Sequence, residues 1–180
     1  EVDISPNLRE RLRLQELDLA FLIGPLGEPG ARQLPLATYP VAFISSPSVR
    51  WPRRPARIEE IAEHPIVTFS RNTQPYGAVA ALFNRPHLPQ ARIHASASLA
   101  TVVRMTVENL GIAVIPPVIV AEQLRRKELV VVRCEADLPD LTFDANWIEQ
   151  PGSRTAAAVA AIAAEVAASS VDTKRRRRVS

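Results

Sequence analysis

The sequence predicts an α/β fold organised in two lobes. Helical and extended segments alternate along the 180 residues, which is typical of α/β proteins. Two long extended segments, residues 36–46 and 141–148, bracket everything between them, as paired crossover strands do when a chain leaves one lobe, builds a second and returns. Such crossovers form a hinge with a cleft beside it. Hydrophobic residues make up 47% of the chain and charged residues 23%, so it can bury a core and is not disordered by default.

The first helix is predicted from its cap and its apolar spacing. Ser5 is expected to be the N-cap, with Pro6 at the first helical position, where its missing N–H costs nothing. Leu8 and Leu12 lie four residues apart, so they share one face of a helix that ends near residue 15.

The remaining elements follow from apolar runs, polar turns and the positions of proline and glycine. Within residues 36–46, Pro40 indicates an edge position or a break at which the chain changes sheets. The predicted strands are residues 1–4 (the end of a strand), 17–23, 36–46, 66–69, 91–95, 112–115, 129–133 and 141–148. The predicted helices after the first are residues 57–63, 75–83, 99–109, 116–125 and 155–168.

Two of these helices carry predictions about packing. Ser98 is the expected N-cap of the helix over residues 99–109, and Gly111 is expected to stop it in the C′ position. Its inward stripe is expected to consist of Val102, Val103, Thr106 and Leu110. The last helix is mostly alanine, and we expect it to pack through Val159, Ile162 and Val166.

The charge of the chain is concentrated at its end. The net charge of +3 comes from 22 Lys and Arg against 19 Asp and Glu, and five of the basic residues form the run 174–178. Without that run 17 basic residues face 19 acidic ones, a balance of −2, which does not favour a nucleic-acid-binding face on the body of the protein. A terminal run of like charges is typical of a disordered end, so residues 171–180 are predicted as a basic disordered tail.

Several classes of protein are not favoured. No stretch approaches the ~18 consecutive apolar residues that span a bilayer, and the chain opens without the regions of a signal peptide, so a cytoplasmic location is the default expectation. The single cysteine, Cys134, cannot form an intramolecular disulfide, and with three scattered histidines it offers no structural zinc site. We predict no metal and no cofactor.

The sequence contains no constellation that combines an acid, a base and a nucleophile. It has no nucleophile elbow, phosphate loop, zinc-protease motif or dinucleotide fingerprint. His64 and His87 stand next to prolines and are expected in solvated loops, and His94 lies in a predicted strand. Cys134 follows a strand and is expected to be an inert thiol. No catalytic residue is therefore predicted, and the chain is not expected to be an enzyme.

Four predicted helices begin where a strand has ended. Polar residues stand at three of these starts, Ser5, Asn72–Thr73 and Ser96 to Ser98, and Pro116 stands at the fourth. The free N–H groups and positive dipole end of a helix bind anions, and open α/β sheets gather ligands at the carboxyl ends of their strands. Ordinary capping explains any one of these positions equally well, whereas several of them facing one cleft would indicate a ligand.

Several segments together resemble the effector-binding domain of LysR-type transcriptional regulators. The matching stretches are residues 17–21 (LDLAF), the crossover 36–46, residues 64–69 (HPIVTF), 98–103 (SLATVV) and 108–116 (ENLGIAVIP). A serine-capped helix followed by Gly-Ile-Ala-Val-Ile-Pro is the family's usual signature for its second lobe. The resemblance covers roughly residues 1–168.

The resemblance implies two Rossmann-like lobes joined by two crossover strands, as in type 2 periplasmic binding proteins. Lobe one would comprise residues 1–41 and 148–170, and lobe two residues 42–147. A small-molecule effector, expected to be an organic acid with an apolar or aromatic body, would bind between the lobes. The implied effector-binding residues are Ser5, Ile23, Ser70, Asn72, Thr73, Ser96, Ala97, Ser98 and Ile115.

The resemblance also implies partners. The family assembles as a homodimer or homotetramer through helices of both lobes, and Leu82 and Phe83 are candidates for exposed apolar residues at such contacts. Its members bind promoter DNA through a winged helix-turn-helix domain and a linker helix, which this chain lacks. The chain also lacks the first strand and helix of lobe one, so we expect it to be an N-terminally truncated fragment.

Two other functions stay open at this stage. A solute-binding protein of a transport system shares the fold, although no signal peptide is present. An enzyme such as a dehydratase can use the same scaffold, although no catalytic constellation is present. The sequence upstream of Glu1 would separate the three possibilities.

Overall fold

The computed structural model describes residues 1–86, 88–150 and 153–176, with side chains as far as residue 169. The helices are α1 (Ser5–Arg13), α2 (Ile58–Ala62), α3 (Gln74–Phe83), α4 (Leu99–Val107), α5 (Ala121–Arg125) and α6 (Arg154–Arg176), with a 3₁₀ helix (Pro117–Val120) directly before α5. The strands are β1 (Ala20–Ile23), β2 (Ala31–Tyr39), β3 (Ala42–Ser45), β4 (Ile66–Thr68), β5 (Ile93–Ala95), β6 (Ile112–Ile115), β7 (Val130–Val132) and β8 (Leu141–Ile148). The predicted α/β fold is thus confirmed.

The chain divides into two compact units. Unit 1 comprises Glu1–Thr38 and the chain from Thr142 onwards, and unit 2 comprises Tyr39–Leu141. We expected these boundaries near residues 41 and 148. The second lies earlier because β8 pairs with β1 in unit 1, with Ile23 opposite Phe143 and Ala20 opposite Asn146.

Unit 1 contains a three-stranded sheet in the order β1-β8-β2. Its core includes the buried side chains of Leu12, Ala20, Leu22 and Leu26. Leu12 is 1% exposed, so the predicted apolar face of α1 packs on this sheet.

The last helix, α6, differs from the prediction in both packing and length. Its buried residues include Ala156 and Ala160, whereas Val159, Ile162 and Val166 are 44%, 61% and 58% exposed. The expectation that these three pack is wrong, because the helix turns its small alanine side chains inward. The helix runs to Arg176, so residues 171–176 of the predicted tail continue it, and residues 177–180 lie outside the described part.

Unit 2 contains a five-stranded sheet in the order β5-β4-β6-β3-β7. β4, β5 and β6 are mutually parallel, and β3 runs antiparallel to β6 and β7. Along the central strands, successive side chains belong alternately to two core clusters. Ile66, for example, belongs to one cluster and Val67 to the other. Because side chains alternate across a strand, this sheet is covered on both faces.

Leu82 and Phe83 belong to one of these clusters rather than to an exposed surface. They are 8% and 5% exposed, and the Phe83 ring packs edge-on against Phe43 at a centroid distance of 6.3 Å. The expectation that they are exposed for self-association is wrong, because they lie on the side of α3 that faces the sheet.

The end of α4 is set by Asn109, which has a φ of 57°, and not by Gly111. A Cβ at position 111 would lie 2.7 Å from the carbonyl oxygen of Pro65 and 2.8 Å from Cγ2 of Val67. Glycine is needed there for a close approach, not as a helix stop. Leu110, expected on the inward stripe with Val102 and Thr106, is 58% exposed because the chain has already left the helix.

Pro40 stands at a break between two sheets. β2 ends at Tyr39 in the unit 1 sheet, and β3 begins at Ala42 in the unit 2 sheet. This confirms the alternative in which proline marks a change of sheet. In the described part of the chain, no helix is long and apolar enough to cross a membrane.

Candidate functional site

The three parallel strands of unit 2 end at a common edge. Ile66 of β4 is opposite Ile93 of β5 and Ile112 of β6, so the carboxyl ends of all three strands point the same way. α3 follows β4, α4 follows β5, and the 3₁₀ helix follows β6. This edge therefore gathers the amino ends of two helices of nine or more residues.

The start of α4 confirms Ser98 as its N-cap. Ser98 Oγ accepts a hydrogen bond from the N–H of Thr101 at 3.2 Å, and the N–H of Ser98 donates to Ser96 Oγ at 3.1 Å. The N–H of Ser96 in turn donates to the carbonyl of Thr68 at the end of β4. Ala97 and Ser98 are exposed beside the helix start, and Ser96 is half-buried.

The start of α3 is a second capped turn, residues 70–73. Thr73 is the N-cap, accepting from the N–H of Tyr76 at 3.4 Å, and its hydroxyl donates to the carbonyl of Ser70 at 2.6 Å. Asn72 is exposed at the tip of the turn. The polar turn expected from the sequence is thus in place, with hydroxyl and amide groups around a helix amino end.

Arg71 is a residue of this turn that the sequence analysis did not select. Its guanidinium lies 5.7 Å from the ring centroid of Tyr76 and donates to the Tyr76 hydroxyl at 3.3 Å. It brings a positive charge to a turn that otherwise carries neutral polar side chains. One signal could have selected Arg71 from the sequence: it is the charged residue in a turn that follows a parallel strand.

Ile115 occupies a different environment from the other selected residues. Its side chain is fully buried in the core, in a cluster with Ile44, Val67 and Val102. The expectation that it covers a ligand does not fit this position, because all four residues of β6 are buried. Beside it, the buried hydroxyl of Thr68 donates to the carbonyl of Val114 at 3.0 Å and fastens β4 to β6.

In unit 1 the structure brings Ser5 and Ile23 together. The N–H of Ile23, at the end of β1, donates to Ser5 Oγ at 3.1 Å. Ser5 is the first residue of α1 and not its N-cap, which is Ile4. The prediction of Ser5 as the cap is therefore wrong by one residue, and its hydroxyl accepts a hydrogen bond from the strand instead.

The turn that follows β1, residues 23–26, is held by side chains from distant parts of unit 1. Arg9 of α1 donates to the carbonyls of Ile23 and Leu26 at 3.2 and 3.0 Å, and also to that of Pro25. Asn146 of β8 accepts from the N–H of Leu26 at 2.8 Å. Sequence patterns did not select Arg9, since its partners lie 14 to 17 positions away. Asn146, a polar residue in the returning strand, is interpreted from the sequence as an anchor for a loop or crossover, and its contact with Leu26 agrees with that interpretation.

Cys134 and His64 are partly buried among neighbouring residues. Burial raises the pKa of the Cys134 thiol, which keeps it protonated and unreactive. His64 is half-buried against Trp51 at a ring distance of 5.4 Å, so it does not lie in a solvated loop, and His87 lies outside the described residues. Across the described residues no cluster of His, Cys, Asp or Glu has the arrangement of a metal site.

A groove of about 370 Å³ also lies in unit 1, next to β1. Its lining is mostly apolar and includes Val2, Leu8, Leu17, Leu19 and Phe21. None of the nine residues selected from the sequence lines it. The groove is therefore distinct from Ser5 and Ile23, the two selected residues that lie in unit 1.

Comparison with known proteins gives one family. The family model described as the LysR substrate binding domain matches residues 1–168. No curated protein matches the sequence closely enough to count as a relative.

Several solved structures with similar folds are regulatory domains. The chain is 15% identical to the regulatory domain of HypT from Salmonella typhimurium in a bromide-bound form, with a TM-score of 0.74 over 93% of this chain and 80% of that one. It is 16% identical to the regulatory domain of CcmR from Synechocystis in complex with 2-PG, with a TM-score of 0.77 over 91% and 80%. It is 17% identical to a sulfate-bound mutant of the OxyR2 regulatory domain from Vibrio vulnificus, with a TM-score of 0.68 over 92% and 79%. At these identities the likeness shows the fold alone.

Proposed function

We propose that this chain binds a small organic anion. The chain belongs to the LysR substrate binding domain family and is the effector-sensing domain of a LysR-type regulator. The observation that carries the proposal is the common edge of unit 2. There two capped helix starts, α3 and α4, stand at the ends of adjacent parallel strands. Helix amino ends present N–H donors and a positive dipole, which suit a carboxylate or another small anion.

The groups proposed to contact the anion in unit 2 belong to the two capped turns. They are the hydroxyls of Ser70, Thr73, Ser96 and Ser98, the amide of Asn72 and the backbone at Ala97. Arg71 adds a positive charge beside them, although it is also engaged with Tyr76. Ile115 is proposed to support this edge from the core and not to touch the ligand, because it is fully buried.

Within unit 1, the part proposed for effector binding is the 23–26 turn. Ser5 and Ile23 meet there, and Ile23 offers an apolar surface for the body of an organic acid. The pairing of polar donors with an apolar surface is common in small-molecule sites.

The ligands of similar structures support an anion. Bromide, sulfate and 2-PG are present in the HypT, OxyR2 and CcmR regulatory domains respectively. We propose an organic acid for this chain because a carboxylate suits the helix amino ends of unit 2.

The partners that we propose are those of the family. A homodimer or homotetramer would respond to the effector, and promoter DNA would be bound by a separate helix-turn-helix domain in the cytoplasm. The proposal assigns no catalytic step to this chain.

Calorimetric titration with sulfate, 2-PG and a panel of organic acids tests the proposal. Ser98→Ala and Thr73→Ala should each lower stability by about 1 kcal/mol as lost caps. If these hydroxyls also bind the anion, affinity should fall further than that loss explains, and Ser5→Ala should act similarly from unit 1.

A matched control is Glu60→Ala, which removes a capping contact from α2, a helix that follows none of the three parallel strands. It should lower stability and leave affinity unchanged. Unchanged affinity in all three serine and threonine variants, for any acid that binds the wild type, would contradict the proposed site.

A further inference from the structure

Every backbone polar group of the 23–26 turn has a hydrogen-bond partner. Its N–H groups donate to Ser5 Oγ, to the carbonyl of Thr142 and to Asn146 Oδ1. Its four carbonyls accept from the side chains of Arg9 and Asn146. Gly24 to Leu26 lie outside helices and strands and have few regular backbone partners, so such complete pairing requires side chains placed for it.

Arg9 supplies most of the donors. Its guanidinium bonds the carbonyls of Ile23, Pro25 and Leu26 from one side chain, half-buried on α1. The planar group with five N–H donors can reach three oxygens at once, which a lysine ammonium on a flexible stem does less well. Another arginine on the same helix, Arg13, instead pairs with Glu10 in solvent.

Asn146 fastens the turn from the other side. It is fully buried on β8 and accepts from the Leu26 N–H at 2.8 Å, while its amide donates to the carbonyls of Gly24 at 3.4 Å and Asp144 at 3.0 Å. β8 is the strand on which the chain returns from unit 2 to unit 1. The turn is thus tied directly to the returning strand.

We propose that Arg9 and Asn146 are positioning residues for effector binding. They hold the 23–26 turn in one preformed shape, so that Ser5 and Ile23 meet the effector without reorganising. Binding to a preformed surface avoids the cost of ordering a loop. This inference rests on the proposed function and extends it to two residues that do not touch the effector.

The test compares Arg9→Lys and Asn146→Asp with two controls in the full chain. Arg13→Lys makes the same substitution on the same helix without touching the turn. Leu12→Ala lowers the stability of unit 1 through its core. Amide hydrogen exchange of Gly24 and Leu26 is measured without anion, and affinity is measured by calorimetry with sulfate and 2-PG.

Arg9→Lys and Asn146→Asp should speed exchange within the turn and weaken anion affinity about tenfold, as expected when bonds to a charged or buried group are lost. Arg13→Lys should change neither quantity, and Leu12→Ala should lower the melting temperature with affinity nearly unchanged. Unaltered exchange in both test variants would overturn the inference. An equal loss of affinity in Leu12→Ala would overturn it as well, since general destabilisation would then explain the effect.

A wild-type chain that binds neither sulfate nor 2-PG, nor any acid of the panel, would contradict the proposed function. The exchange measurement, which needs no anion, would still decide whether Arg9 and Asn146 hold the turn.

Discussion

The 23–26 turn of unit 1 and the capped turns of unit 2 are both held by side-chain hydrogen bonds, but over different distances in the sequence. In unit 2, Thr73 and Ser98 bond backbone groups three residues away. In unit 1, Arg9 bonds a carbonyl 17 residues away, and Asn146 bonds an N–H 120 residues away. The first kind of turn can form before the fold is complete, whereas the second exists only once α1, β1 and β8 have assembled.

This difference explains why the capped turns of unit 2 can be predicted from the sequence and the contacts of the 23–26 turn cannot. A cap is a local contact between a hydroxyl and an N–H one helical turn ahead, so serine or threonine before an apolar pattern is enough to predict it. The partners of Arg9 and Asn146 are ordinary backbone groups with no sequence signature of their own.

The largest expected effect is at Gly111 of unit 2, whose role the local sequence pattern did not predict correctly. Gly111→Ala should lower the free energy of unfolding by about 2–3 kcal/mol, because the added Cβ would overlap the carbonyl of Pro65. Gly77→Ala is the matched control. Gly77 lies inside α3 with open space around it, so alanine should raise stability by about 0.5–1 kcal/mol.

Urea unfolding of both variants checks this prediction. A tolerated Gly111→Ala would mean that the contact with Pro65 relaxes around the added methyl group, and would contradict the close approach as the reason for glycine at this position.

A smaller effect is expected from two double-mutant cycles that compare the turns directly. Arg9→Lys and Asn146→Leu act on one turn, so their combined loss of stability should differ from the sum by about 1 kcal/mol. Thr73→Ala and Ser98→Ala remove separate local caps, and they should add to within about 0.5 kcal/mol. Additive behaviour in the first pair would show that Arg9 and Asn146 act independently.

The smallest effect concerns a third local cap, the carboxylate of Glu60 on α2. Hydrogen bonds from Arg54 and from the backbone N–H of Arg57 lower its pKa to about 2. Because the folded pKa lies below the unfolded value of 4.5, the stabilisation is fully present above that value and is lost as the pH falls through about 2.

The difference in stability between wild type and Glu60→Gln should therefore shrink as the pH falls from about 4.5 to about 2. NMR titration of the Glu60 carboxyl measures its pKa directly. An ordinary pKa would show that the contacts with Arg54 are too weak in solution to matter.

The sequence by itself determined what depends on local and periodic interactions. Alternating helices and strands, the cap at Ser98, the turn before α3 and the break at Pro40 could all be predicted, since each depends on neighbours within a few residues. Family motifs around residues 98–116 added the fold and the effector-sensing function.

Only the tertiary structure decided which of several apolar faces is buried and which side chains meet across the chain. Leu82 and Phe83 are core residues, Val159 and Ile162 are exposed, and Gly111 serves a close contact rather than a helix stop. The physical reason is that burial and long-range hydrogen bonds depend on the other surface, which a local pattern does not contain. Arg9 and Asn146 acquire their positions at the 23–26 turn only because β8 returns beside β1 and places its buried amide against that turn.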